Sequence, residues 1–93
     1  QLREARVEAE ALLHSLAGAL AADGDLLGVA ERRALEDLAA ELLAVLDAVD
    51  IESIRSKTDQ LGEASLAFAE RRMDRSIQSA LSGVAVSQLE SLE

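Results

Sequence analysis

Cysteine, proline, tryptophan and tyrosine are absent from this 93-residue chain, which holds a single phenylalanine and a single histidine. Without cysteine there is no disulfide staple and no thiolate metal site, so nothing points to an oxidising compartment. A zinc site needs three or four converging ligands, and no second histidine exists to help supply them. Long apolar runs are missing too, because charges interrupt every stretch well short of the roughly 20 residues a membrane span requires. Positive charge is scarce: 9 Lys and Arg stand against 18 Asp and Glu, for a formal net charge of −9. Nucleic-acid binding needs clustered cations, and an anionic membrane would repel such a chain. The composition leaves no nucleic acid and no membrane as partners and points to other proteins. The N-terminus lacks the cationic-then-apolar order of a signal peptide. A start at Gln1 inside a helical pattern suggests a piece of a longer protein, and Leu92-Glu93 reads as an expression-vector scar.

What the chain has in quantity is Ala, Leu, Glu and Arg, all strong helix formers. Hydrophobic residues make up 49% of it, but most are Ala and Leu. Such a core is thin, worth about 5 kcal/mol at most in a domain this small. Leu2, Ala5, Ala9, Leu12, Leu16 and Leu20 recur at three- and four-residue steps, predicting a first helix to about Ala22. Asp23-Gly24-Asp25 breaks it, with Gly24 suited to a left-handed terminal residue. A second helix starts near Val29, with Gly28 at the N-cap and Glu31 three residues on as half of a capping box. Its apolar face is Leu35, Leu38, Leu42, Leu46 and Val49. Asp50 caps a third helix with Ile51, Ile54, Thr58, Leu61, Ser65 and Phe68 on its inner side. The stripe then drifts to Ala69, Met73, Ile77 and Leu81, as in a straight helix rotating its contact face or one kinked near Arg71-Arg72 into a fourth. Gly83 ends the pattern and 84–93 reads as a frayed tail. The short breaks predict an all-α, antiparallel, up-down-up three-helix bundle spanning residues 1–93 as a single unit.

No constellation for chemistry survives inspection. Asp23 to Gly28 superficially resembles a calcium loop, but Leu27 and Ala34 occupy ligand positions that an EF-hand cannot give up. His14 has no nucleophile within reach, since neighbouring Ser15 points elsewhere on the helix. Glu10 and His14 are four apart and share a face; spacing alone favours a weak intrahelical pair over a polar latch to an adjacent domain. The start of the first helix, crowded with Arg3, Glu4, Arg6, Glu8 and Glu10, reads as solvated or built to meet a partner through charge. Arg71, Arg72 and Arg75 pair with Glu70 and Asp74, or with acids on a facing helix. Phe68 and Met73 read as core. The sequence therefore predicts no enzyme, no cofactor and no metal.

Two stretches carry a resemblance. Glu10-Ala-Leu-Leu-His-Ser-Leu16, with Ala21-Ala-Asp-Gly-Asp-Leu26 and Ala30-Glu-Arg-Arg-Ala-Leu-Glu36, resembles the helical lid of the seventy-kilodalton heat-shock chaperones of the DnaK type. Asp50-Ile-Glu-Ser-Ile-Arg55 is similar to the start of the next lid helix. Phe68-Ala-Glu-Arg-Arg-Met-Asp-Arg-Ser-Ile77 resembles the end of the HscA branch, which serves iron–sulfur cluster assembly in the bacterial cytoplasm. The resemblance implies a lid over a β-sandwich that grips client peptides, with an ATPase domain elsewhere in the full-length protein. It also implies the scaffold IscU as client, HscB as co-chaperone, and Glu10 and His14 as candidates for the latch. Glu10 stands where the general chaperone has a shorter Asp. The expected core is Leu12, Leu16, Leu20, Leu35, Leu38, Leu42, Leu46, Ile54, Leu61 and Phe68. The alternative is a helical module for protein interaction or dimerisation.

Overall fold

The computed structural model describes the backbone of residues 1–92 and the side chains of residues 1–82. Four α-helices and no strand occur among the described residues: α1 (Leu2–Asp23), α2 (Val29–Val45), α3 (Ile51–Ala64) and α4 (Leu66–Leu92), with a 3₁₀ turn (Gly24–Leu26) after α1. None of these helices is long and apolar enough to cross a membrane. Helix α3 lies against both α1 and α2, which touch each other far less, so α3 is the element around which the core forms.

The core follows the apolar spacing. Leu16, Leu35, Leu42, Ile54, Leu61 and Phe68 are buried, and Leu12, Leu20, Leu38 and Leu46 are half-buried and packed against them. Full burial of Leu42, Ile54 and Leu61 is worth about 1.5–3 kcal/mol for each side chain. Ala5, Ala9 and Ala19 are buried as well. Of the charged residues expected to be solvated at the start of α1, Arg3, Glu4, Glu8 and Glu10 are exposed, while Ala5 and Ala9 on the other side of the helix are buried in contact with the core. Arg6 belongs to the same contact. Its Nε donates to Leu46 O at 3.0 Å, and Nη2 donates to Ala48 O at 3.1 Å. A cation there satisfies carbonyls left open as α2 ends and sets the start of α1 beside the end of α2.

Caps explain the helix starts. Asp50 accepts from the Glu52 N–H at 3.1 Å and from the Ser53 hydroxyl at 2.8 Å, the role its spacing predicts. At α2 the Glu31 carboxylate accepts the Gly28 N–H at 2.9 Å; Gly28 has no side chain to return the bond, so the box stays half made. The expectation for Gly24 is corrected. Its φ is −58°, ordinary right-handed backbone, because the chain tightens into the 3₁₀ turn instead of reversing through a left-handed residue. Val49 is corrected too: α2 stops at Val45, and Val49 sits in the following turn, 84% exposed.

The long third helix does divide, but at Ser65 and not near Arg71. The Ser65 hydroxyl lies 2.7 Å from Leu61 O and 3.1 Å from Gly62 O. In a continuous helix the Gly62 carbonyl would serve the N–H four residues on, so the serine competes for the ladder and bends it. Helix α4 then passes Gly83, where the pattern predicted an end, and is helical to Leu92; Glu93 lies outside the described residues. A mid-helix glycine costs only about 1 kcal/mol. The radius of gyration is 17.6 Å, against about 12 Å for a compact chain of this length.

Candidate docking face and arginine clamp

Helix α1 carries two complementary stripes. Leu2, Ala5, Ala9, Leu12, Leu16 and Ala19 run along the packed side at three- and four-residue steps. Arg3, Val7, Glu10, His14, Ala17 and Ala21 run at the same steps along the opposite side, and all six are exposed. Side chains at such spacing line one face. Glu10 and His14 thus stand one turn apart, outside the core, with Val7 (57% exposed) beside them. Neither has a side-chain hydrogen bond or ion pair with any described residue, including each other. Both are therefore available to something outside the described chain. Small residues at Ala17, Gly18 and Ala21 leave the rest of this side low, and a Cβ added at Gly18 would meet nothing within 4 Å.

At the far end of α1 the acidic turn meets the arginines of α4. Arg71 grips Glu31 with two hydrogen bonds of 2.9 and 2.8 Å, and also donates to Leu26 O at 3.1 Å. Arg72 Nε donates to Asp23 at 2.8 Å. Arg75 donates to Asp23 at 3.0 Å and to both oxygens of Asp25 at 2.9 and 2.6 Å. Three guanidinium groups thus match three carboxylates drawn from α1, the 3₁₀ turn and α2. Planar forks suit bidentate carboxylate pairing. The pairing partners are the acids of the facing elements, one of the two outcomes the charge pattern allowed; Glu70 and Asp74 take no part.

Electrostatics follow from this geometry. The Arg71 guanidinium, helped by the Gly28 N–H, holds the Glu31 carboxyl down at about 2. Arg72 and then Arg75 keep Asp23 below the usual carboxylate range, and Arg75 does so for Asp25. Asp23 and Asp25 are thus committed to arginines, which leaves the loop ill-suited to calcium. Among the described residues no group of three or more potential metal ligands converges. Arg72 also lies over the Phe68 ring, 6.0 Å from its centre, so the clamp continues into the core.

Sequence spacing placed Glu10 and His14 on a common face but missed Arg6 and the partners of the arginines. The acids at the end of α1, in the turn after it and at the start of α2, with the cluster of three arginines, were the available signal. Met73, expected in the core, is 65% exposed: once Phe68, Arg72 and Arg75 face inward, helical geometry turns residue 73 to the opposite side.

No protein-family model matches the chain. Its curated relatives are larger. A "Chaperone protein HscA homolog" from Burkholderia orbicola (strain MC0-3) is 50% identical over 82 residues. Proteins of the same name from Verminephrobacter eiseniae (strain EF01-2) and Burkholderia mallei (strain SAVP1) are 48% and 46% identical over the same length. Each match covers 88% of this chain but only 13% of the relative's own length.

Proposed function

We propose a function from the premise that this chain is a homologue of the C-terminal part of the HscA chaperones: it is the helical lid of a peptide-binding domain, closing over a bound client and slowing its release. In this reading α1, α2 and α3 run up-down-up as an antiparallel three-helix body. The contact of Arg6 with the end of α2 supports that course. The outer stripe of α1 is the docking edge toward the β-sandwich of the same polypeptide, and Glu10 and His14 latch it. The observation that carries the proposal is that these two side chains stand together on a face the chain's own core leaves unused.

The physics suits a lid. Contacts made by exposed charged groups are individually weak, typically about 0.2–1 kcal/mol, so a few of them slow departure without locking the complex. Such a latch acts on the off-rate. Burial of the opposite stripe keeps α1 straight and fixed on α3, so that opening can move the helix as one body. The segment itself contributes neither catalytic group nor cofactor. Its work is mechanical, and ATP turnover belongs to another domain of the full-length protein. The client class is the IscU scaffold of iron–sulfur cluster maturation, with HscB as the J-type co-chaperone, in the cytoplasm.

The test is the full-length chaperone carrying Glu10→Ala with His14→Ala. Client-peptide release, followed by stopped-flow fluorescence, should be several-fold faster, while the melting of this helical segment stays as in the parent. An unchanged release rate removes the latch and, with it, the docking role of this face.

A further inference from the structure

Helix α4 has two faces, and the chain uses one of them. Phe68, Arg71, Arg72 and Arg75 turn toward α1, α2 and the 3₁₀ turn. On the opposite side Leu66, Met73, Ile77 and Leu81 are 61, 65, 49 and 61% exposed. Steps of seven and four residues hold them in a single stripe. Glu70 falls on the stripe itself, one turn beyond Leu66, Asp74 borders it on one flank, and Ala69, Ser76 and Ala80 on the other; all five are exposed. The three arginines are spent on Glu31, Asp23 and Asp25. What remains on and beside the stripe is negative charge, within a chain of net charge −9.

We propose that this outer face of α4 docks a basic amphipathic helix of a partner protein. The partner's apolar side lies on Leu66, Met73, Ile77 and Leu81, and its cations lie beside Glu70 and Asp74. Apolar anchors at this helical spacing are the usual contacts of a helix laid against a helix. The flank of alanine and serine permits close approach, since interaxial distances of about 8–10 Å depend on side-chain size at the contact. Met73 adapts to partners of differing shape. Charge decides the occupant: a complementary cationic helix is steered to the acidic flank, while a second copy brings the same negative charge and is repelled. The surface is separate from the α1 stripe, so the inference stands or falls independently of the lid assignment.

The test uses the 93-residue chain and a fluorescein-labelled 18-residue peptide with leucines on one helical face and lysines on the other. Controls are the same peptide with glutamates for lysines and a shuffled peptide without a face. Anisotropy should give saturable one-to-one binding of the lysine peptide alone, and amide shifts in nuclear magnetic resonance should concentrate over residues 66–82. Met73→Asp with Ile77→Asp should weaken binding by about tenfold or more. Glu70→Gln with Asp74→Asn should weaken it less and flatten its salt dependence. Both variants should keep the parent's helicity, because the substituted side chains are exposed. Equal binding of either control peptide overturns the proposal, as do shifts centred elsewhere or indifference to Met73→Asp with Ile77→Asp. A doubled mass in sedimentation that this variant abolishes also overturns it, and assigns the face to a second copy.

Discussion

An Ala9→Leu substitution should destabilise the chain, although leucine is nearly as good a helix former as alanine and far more hydrophobic. Ala9 is completely buried, and Ala5, one turn earlier, is 2% exposed. If the site had room, the added carbons would contribute about 0.8 kcal/mol for each buried methylene. Ala9 leaves no surface to solvent, so the added carbons must enter a contact already closed by the neighbouring core residues. Forcing extra carbons into such a contact typically costs about 1–3 kcal/mol. For a small core stabilised by about 5 kcal/mol in total, that is a large share. At about 4–8 °C of melting temperature per kcal/mol, a loss of about 2 kcal/mol lowers the midpoint by about 8–16 °C. Urea and thermal unfolding followed by circular dichroism would measure it, with Ala11→Leu at an exposed position of the same helix as the neutral control. An Ala9→Leu chain as stable as the parent would refute the close seating of α1.

Leu61→Ala should cost about 2–5 kcal/mol by the usual cavity penalty, since Leu61 is fully enclosed; urea titration should find the variant unfolded or nearly so, and a change below 1 kcal/mol would contradict its central place. Arg72→Ala with Arg75→Ala should release α4 from the acidic turn; hydrogen exchange should then lose protection over residues 68–78 while Leu42 and Ile54 keep theirs. Acid should weaken the fold with a definite sign. The folded-state carboxyl of Glu31 lies at about 2 against an ordinary 4.5, so its contribution is fully present above about 4.5 and is lost as pH falls toward 2. Asp23, Asp25 and Asp50 shift the same way. Glu31→Gln should flatten the fall in stability below pH 4.5, and an acid titration identical to the parent's would exclude the Arg71 pairing as its source.

Part of the candidate site could be read directly from the chain. The four-residue step from Glu10 to His14 puts them on one helical face, and the arginine count announces a pairing with acids. The sequence could not say that the acids would be Asp23, Asp25 and Glu31, because those pairings span 40 to 52 residues and depend on where the helices come to rest. Arg6 was illegible for the same reason: its partners are backbone carbonyls, which leave no mark on residue identity. Met73 went astray because an apolar residue at helical spacing reads as core until the orientation of the whole helix is known.

Local chemistry settled the helices, the Asp50 cap, the acidic balance and the leucine spacing, since each depends on residues within one or two turns. The packing of Ala5 and Ala9 and the choice of which side of α4 faces inward were decided only by tertiary structure. In each of these, backbone and side chains far apart in the chain compete for the same space or the same hydrogen-bonding group, and nothing in a neighbouring residue records the outcome.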